Sequence, residues 1–126
     1  MCLILTQLKP KIADKDIICY KIVKKSKVKG VYKSRMQRFE YIIRQLYTNH
    51  INIKYINIYI KKYYNIFTIG AGMFHSYANY LPTKLALSSD YITLKCIIPK
   101  GSYYFEGYLN NLSLYASSQI KILEEI

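Results

Sequence analysis

The apolar residues of this chain recur mostly with the period of a strand. IICYKIV, residues 17–23, is β-branched and aromatic with little polarity, which predicts a buried strand. YITLKCII, residues 91–98, predicts a second, and the PKG that ends it is a turn signal. SYYFEGYL, residues 102–109, continues as a strand, and SSQIKIL, residues 117–123, as a last one. In INIKYINIYIKKYY, residues 51–64, Ile51, Ile53 and Tyr55 alternate with polar neighbours, and so do Ile56, Ile58 and Ile60. The phase slips between Tyr55 and Ile56, so one bulged strand or two short strands are both compatible with the pattern.

Two segments read as helical. In RFEYIIRQLYT, residues 38–48, Phe39, Ile42, Ile43 and Leu46 share a helical face, while Phe39, Tyr41 and Ile43 share a strand face; the helical reading is adopted. LPTKLALSSD, residues 81–90, predicts a short helix with Pro82 in its first turn, where proline is tolerated. IGAGMFHSY, residues 69–77, is a glycine-punctuated loop running into a short element; Gly70 and Gly72 mark a bend, since the pair is too little for a dinucleotide fingerprint. These elements predict an α+β fold. It would be a single small domain over residues 1–126, with a mixed, mostly antiparallel sheet of five to seven strands and one or two short helices. No period indicates an internal repeat.

Charge sharpens the picture. The net charge is +12, and it is concentrated. Residues 21–64 hold twelve cations against one acid, Glu40: Lys21, Lys24, Lys25, Lys27, Lys29, Lys33, Arg35, Arg38, Arg44, Lys54, Lys61 and Lys62. An A+T-rich genome raises the Lys and Tyr content of a whole chain, but it does not gather Lys in one third of it. Such a field recruits phosphate backbones, anionic membranes or acidic protein faces. Tyr32, Tyr41, Tyr47, Tyr55, Tyr59, Tyr63 and Tyr64 are interleaved with the cations, a pairing that suits phosphate neutralisation and base stacking. The bland alternative is a sheet whose Tyr side chains are half-buried and whose Lys side chains keep it soluble. Within the segment, Gly30 lies between VK and VYK, which predicts a Lys-rich hairpin with Gly30 in its turn. This basic segment reads as an insertion-like part of the domain, and Tyr32 with the twelve cations forms its candidate binding set.

Other chemistry is sparse. Cys2, Cys19 and Cys96 form no C-x-x-C pair, so neither a zinc ribbon nor a thioredoxin-type site is encoded, and no metal or cofactor is expected. An odd cysteine count with no evident signal peptide points to reduced thiols in a cytoplasm. No run of about 18 apolar residues occurs, so no membrane-spanning helix is expected. His75 and Ser76 adjoin the glycine loop, but no acid stands at a motif spacing from them, so His75 is expected to be structural. Lys21, Ser76 and Glu106 follow the chain order of a small ADP-ribosyltransferase-like site; that enzyme reading requires the three side chains to meet in one cleft.

Tyr20-Lys21, the run Met73-Phe74-His75-Ser76-Tyr77, Ile98-Pro99-Lys100-Gly101, Tyr104, Gly107 and Ala116-Ser117 together resemble the pattern of a group of small uncharacterised proteins of bacteriophages and phage-rich gut bacteria. Met73 departs from the Gly expected there, and the basic middle of the chain has no counterpart. The resemblance implies a phage source and a scaffold. With the charge it leads to the expectation of a non-catalytic inhibitor of a host nucleic-acid-guided defence system, anti-CRISPR-like, acting in the host cytoplasm. Its partner would be nucleic acid or a nucleic-acid-containing effector complex. The alternative is a virion protein lying against packaged DNA or an acidic capsid neighbour.

Overall fold

IICYKIV and YITLKCII do form strands, and they form them on each other. In the computed structural model, which describes residues 3–5, 10–34, 40–48, 68–69, 74–80, 91–109 and 112–126, β3 (Ile17–Lys25) pairs antiparallel with β9 (Tyr91–Ile98) along its length, from Ile17 opposite Ile98 to Lys24 opposite Tyr91. Both strands are central, with a hydrogen-bonded neighbour on each side, and β3 alternates buried Cys19, Lys21 and Val23 with the more exposed Ile18, Tyr20 and Ile22. β4 (Val31–Ser34) follows the predicted turn, and β5 (Glu40–Ile42) and β6 (Leu46–Thr48) come next. β12 (Gln119–Glu125) closes the chain.

These strands make a ring. β3 pairs with β4 and β4 with β5, while on the other side β9 pairs with β12 and β12 with β6. β5 and β6 are consecutive, so the chain itself joins the two ends of this series of pairings. The corner between them turns at Arg44, whose φ is +65°. It is pinned from three sides: Ile43 N–H donates to the Gly30 carbonyl at 3.3 Å, Arg44 N–H to the Ile122 carbonyl at 2.7 Å, and Ile122 N–H to the Gln45 carbonyl at 3.1 Å. Among the described residues β5 pairs only with β4 and β6 only with β12, so the ring is completed by this corner and not by a strand pairing. Cys19, Val23, Tyr32, Tyr41, Leu94, Cys96, Ile120 and Ile122 form one buried cluster contributed by its strands.

A second group of strands leaves the ring at β3, where Tyr20 pairs with Tyr77 of β8 (Phe74–Tyr77). β8 pairs with β11 (Leu112–Ser117), and β11 with β10 (Tyr103–Leu109). The short β1 (Leu3–Leu5), β2 (Lys11–Ile12) and β7 (Thr68–Ile69) add to the far side. β11 and β12 are separated only by Ser118, so the chain passes from this group into the ring at one bend. Ser118 N–H donates to the Tyr103 carbonyl, and its hydroxyl accepts from Tyr103 N–H, which holds the bend. The predicted PKG turn joins β9 to β10, with Gly101 at φ +89°. A Cβ there meets open space, so conformation alone opposes substitution. Gly101→Ala is expected to lower unfolding free energy by about 1 kcal/mol, read by urea denaturation, because an L-residue resists positive φ. An unchanged midpoint would show that the turn relaxes.

The α+β expectation is therefore corrected: the described residues contain twelve strands, every pairing antiparallel, and no helix. Residues 40–48 show why. Their apolar spacing fits a helix or a strand, and the two-fold period prevails because β4 and β12 offer backbone partners. Tyr41 then enters the core, while Ile42 and Leu46, on the proposed helical face, are each 47% exposed. The strand count also exceeds the predicted five to seven, through β11 and the short pairings of two or three residues. The helix expected over residues 81–90 and the alternating segment 51–64 lie outside the described residues.

Candidate functional site

The predicted hairpin is present and ordered. β3 and β4 run in register with Val23 opposite Ser34, Lys24 opposite Lys33 and Lys25 opposite Tyr32. Ser26 builds the turn: its hydroxyl is 2.7 Å from the Val31 carbonyl and 2.9 Å from that of Val28, and it accepts from Val28 N–H at 3.1 Å. Val31 N–H donates to the Val28 carbonyl, and Gly30 takes φ +81°. A short polar side chain and a glycine thus fix the loop, as turn chemistry requires. Lys24, Lys25, Lys27, Lys29 and Lys33 are exposed around it, with Val28 63% exposed among them. Arg44, also exposed, is adjacent through the bond from Ile43 to Gly30.

Carboxylates offset part of this charge. Glu125 lies 3.6 Å from Lys25 Nζ and accepts the Tyr32 hydroxyl at 2.7 Å, and Glu40 stands opposite Lys33 in the sheet. Lys24 and Lys33 face each other directly in the ladder, an arrangement that costs stability; Glu40 relieves Lys33 from its other side, whereas the other cross-strand partner of Lys24 is the uncharged Tyr91.

Two members of the sequence-based binding set do not belong to this surface. Tyr32 is 6% exposed and its ring is in the core, so it offers no face for stacking. Lys21 is 8% exposed. The alternation along β3 turns Cys19, Lys21 and Val23 inward, and the strand becomes polar on both faces only at Lys24 and Lys25. Tyr41 and Tyr47 are likewise engaged, packed edge to face at 5.3 Å between centroids. Arg35, Arg38, Lys54, Lys61 and Lys62 lie outside the described residues.

Lys21 instead heads a buried polar cluster that the sequence reading did not assemble. Its ammonium donates to the His75 carbonyl and lies 5.0 Å from the Tyr41 ring centroid, a cation–π contact. Cys19 and Cys96 face each other across β3 and β9, both free thiols and both buried. The Tyr20–Tyr77 pairing sets Ser76 beside Lys21; its buried hydroxyl has no hydrogen-bond partner of ordinary geometry. Burial pulls the Lys21 ammonium below the ordinary lysine range, opposed by the thiols of Cys96 and Cys19 and by Tyr77. In water the unfolded chain therefore binds this proton more firmly than the folded one. Stability from this group is full above the ordinary lysine pKa and is lost as pH falls towards the depressed value. Lys21→Met, which keeps the stem and removes the charge, is expected to raise the urea midpoint at about pH 7 and to shrink the gain that wild type shows on going to about pH 10. A lower midpoint in the variant at both pH values would mean that the ammonium contacts outweigh its desolvation.

The transferase arrangement does not assemble. Lys21 and Ser76 are neighbours, but Tyr115 stands between Ser76 and Glu106 in the sheet, and Glu106 pairs at 3.1 Å with Lys11 on the exposed surface. His75 contributes its backbone carbonyl to Lys21 and pairs with Ala116 in the ladder. His50 lies outside the described residues. Among the described residues no group of three or more His, Cys, Asp or Glu side chains is placed to hold a metal ion. Among the described residues no helix is long and apolar enough to cross a membrane.

Over the described residues, fold and site together define an all-β protein with a hydrogen-bonded lysine hairpin at one end of a strand ring and a buried thiol–lysine cluster inside it. No family model, no curated protein and no solved structure matches the chain.

Proposed function

We propose that this is a non-catalytic binding protein that holds a nucleic-acid phosphate backbone on the β3–β4 hairpin. The observation that carries the reading is the fixed opposition of Lys24 and Lys33, with Lys27 and Lys29 on the hydrogen-bonded turn between them. A phosphate seated there relieves repulsion that the fold itself holds in place. The burial of Tyr32 and Tyr41 removes them from base stacking, so the affinity comes from phosphates and carries little sequence preference. The specific form we favour is an anti-CRISPR-like inhibitor of a host nucleic-acid-guided defence, competing for the phosphate contacts of a guide or target strand. Its support is the charge placement together with the phage-like sequence pattern.

Fluorescence anisotropy with labelled single-stranded RNA, single-stranded DNA and duplex DNA, repeated over a salt series, tests the binding. All three are expected to bind, with log affinity falling linearly in log salt. Absence of binding at low salt, or affinity indifferent to salt, sinks the proposal. Affinity capture from infected host cells then separates a guided nuclease from capsid proteins as the partner.

A further inference from the structure

We infer that Cys19 and Cys96 are a peroxide-oxidisable dithiol that closes into a cross-strand disulfide inside the ring of strands. The two residues are direct partners in an antiparallel ladder. Opposed Cα atoms in such a ladder are about 4.5–5.5 Å apart, within the span of roughly 4.4–6.8 Å that a disulfide bridges. Both side chains are fully buried. Cys96 Sγ reaches the Leu94 carbonyl at 3.7 Å.

The surroundings make the two sulfurs unequal. The hydrogen bond from Cys96 holds the Cys19 thiol below its ordinary range against the effect of burial, with Ser76 and the Lys21 charge acting in the same direction. The same bond and burial push the Cys96 thiol up. Cys19 is the attacking sulfur, because Lys21 lies two residues on along the same inward face of β3 and Ser76 lies in β8, which pairs with β3; Cys96, on the opposite strand, is the resolving thiol. The Ser76 hydroxyl, which has no other partner of ordinary geometry, is free to donate to the developing sulfur anion. Burial selects for a small uncharged oxidant, and hydrogen peroxide is one.

The chemistry balances in two steps. The Cys19 thiolate attacks one peroxide oxygen, the O–O bond breaks, and the hydroxide that leaves takes a proton to become water. Cys19 is now a sulfenic acid. The Cys96 sulfur attacks the Cys19 sulfur, the S–O bond breaks, and the hydroxyl departs with the Cys96 proton as a second water. Two thiols are oxidised by two electrons, and one peroxide is reduced to two waters.

The test uses the folded full-length chain with Cys2→Ser, which removes the remaining thiol. Titration with hydrogen peroxide is expected to lower the intact mass by about 2 Da without adding oxygen, and digestion should yield a peptide pair linked through Cys19 and Cys96. Lys21→Met is expected to slow the reaction by about ten-fold, since it removes the counter-charge of the thiolate. In Cys96→Ala, sulfenic acid should accumulate at Cys19 and be trapped by a dimedone probe. Should either variant fail to fold, the parent reaction still decides: the same peroxide dose applied to the chain unfolded in urea should give slower closure than in the folded protein. Retention of both thiols at peroxide doses that leave the protein folded overturns the inference. So does closure no faster than in the unfolded chain.

Discussion

Replacement of Lys24, Lys25, Lys27 and Lys29 together by Gln is expected to weaken nucleic-acid binding by roughly 10²- to 10³-fold near physiological salt while the fold stays intact. Each phosphate contact contributes about 0.9 to the log–log salt slope, so loss of four contacts flattens it by about 3 to 4. A smaller change counts the contacts actually made, at roughly one log–log unit per contact. The fold tolerates the change because the turn is held by Ser26, Val28, Val31 and Gly30, none of which is altered. Exposed ammonium groups contribute little to stability, and the one ion pair lost, Lys25 with Glu125 at 3.6 Å, is itself exposed. Glu125 keeps its bond from the Tyr32 hydroxyl. Circular dichroism and urea denaturation verify folding, and anisotropy across a salt series gives both affinity and slope. Unaltered affinity and slope in the quadruple variant would leave the lysine run a solvated loop with no part in binding.

Phe105→Ala is expected to cost about 3–5 kcal/mol of stability, the largest effect of any single substitution proposed for this protein. Phe105 is the largest of the fully buried side chains among the described residues. It pairs with Ala116, and the neighbouring pair on the same face is Gly107 with Leu114. Small partners cannot expand into the space that a lost ring vacates. The strand is also clamped on both edges, by β11 on one side and by β1 and β2 on the other, so the backbone cannot collapse into the void. Against a total stability of about 5–15 kcal/mol, the loss is a large fraction of the whole. Urea denaturation monitored by tyrosine fluorescence reads it directly. A loss below about 1 kcal/mol would mean that the Phe105 site collapses freely and is not part of a packed interior.

Local pattern alone determined several elements of this protein. Two apolar runs of seven and eight residues, 17–23 and 91–98, specify strands because β-branched and aromatic side chains suit a pleated surface. Gly30 among lysines specifies a hairpin, and Pro99-Lys100-Gly101 a turn, because positive φ belongs to glycine. The concentration of charge near Lys24–Lys33 was equally legible, since formal charge needs no fold to be counted.

What only the tertiary structure decided follows from pairing and register, which no local period carries. Residues 40–48 fit a helix until β4 and β12 are present to accept them as strands. Lys21 reads as one more surface cation until the pleat of β3 turns it inward with Cys19 and Val23; a run apolar on both faces does not disclose which parity is interior. Cys19 and Cys96 are remote in sequence and become neighbours only through the β3–β9 register, and the β3–β4 register brings Lys24 and Lys33 into opposition across the hairpin. A shift of one residue would send every one of these side chains to the other face, because the period of a strand is two.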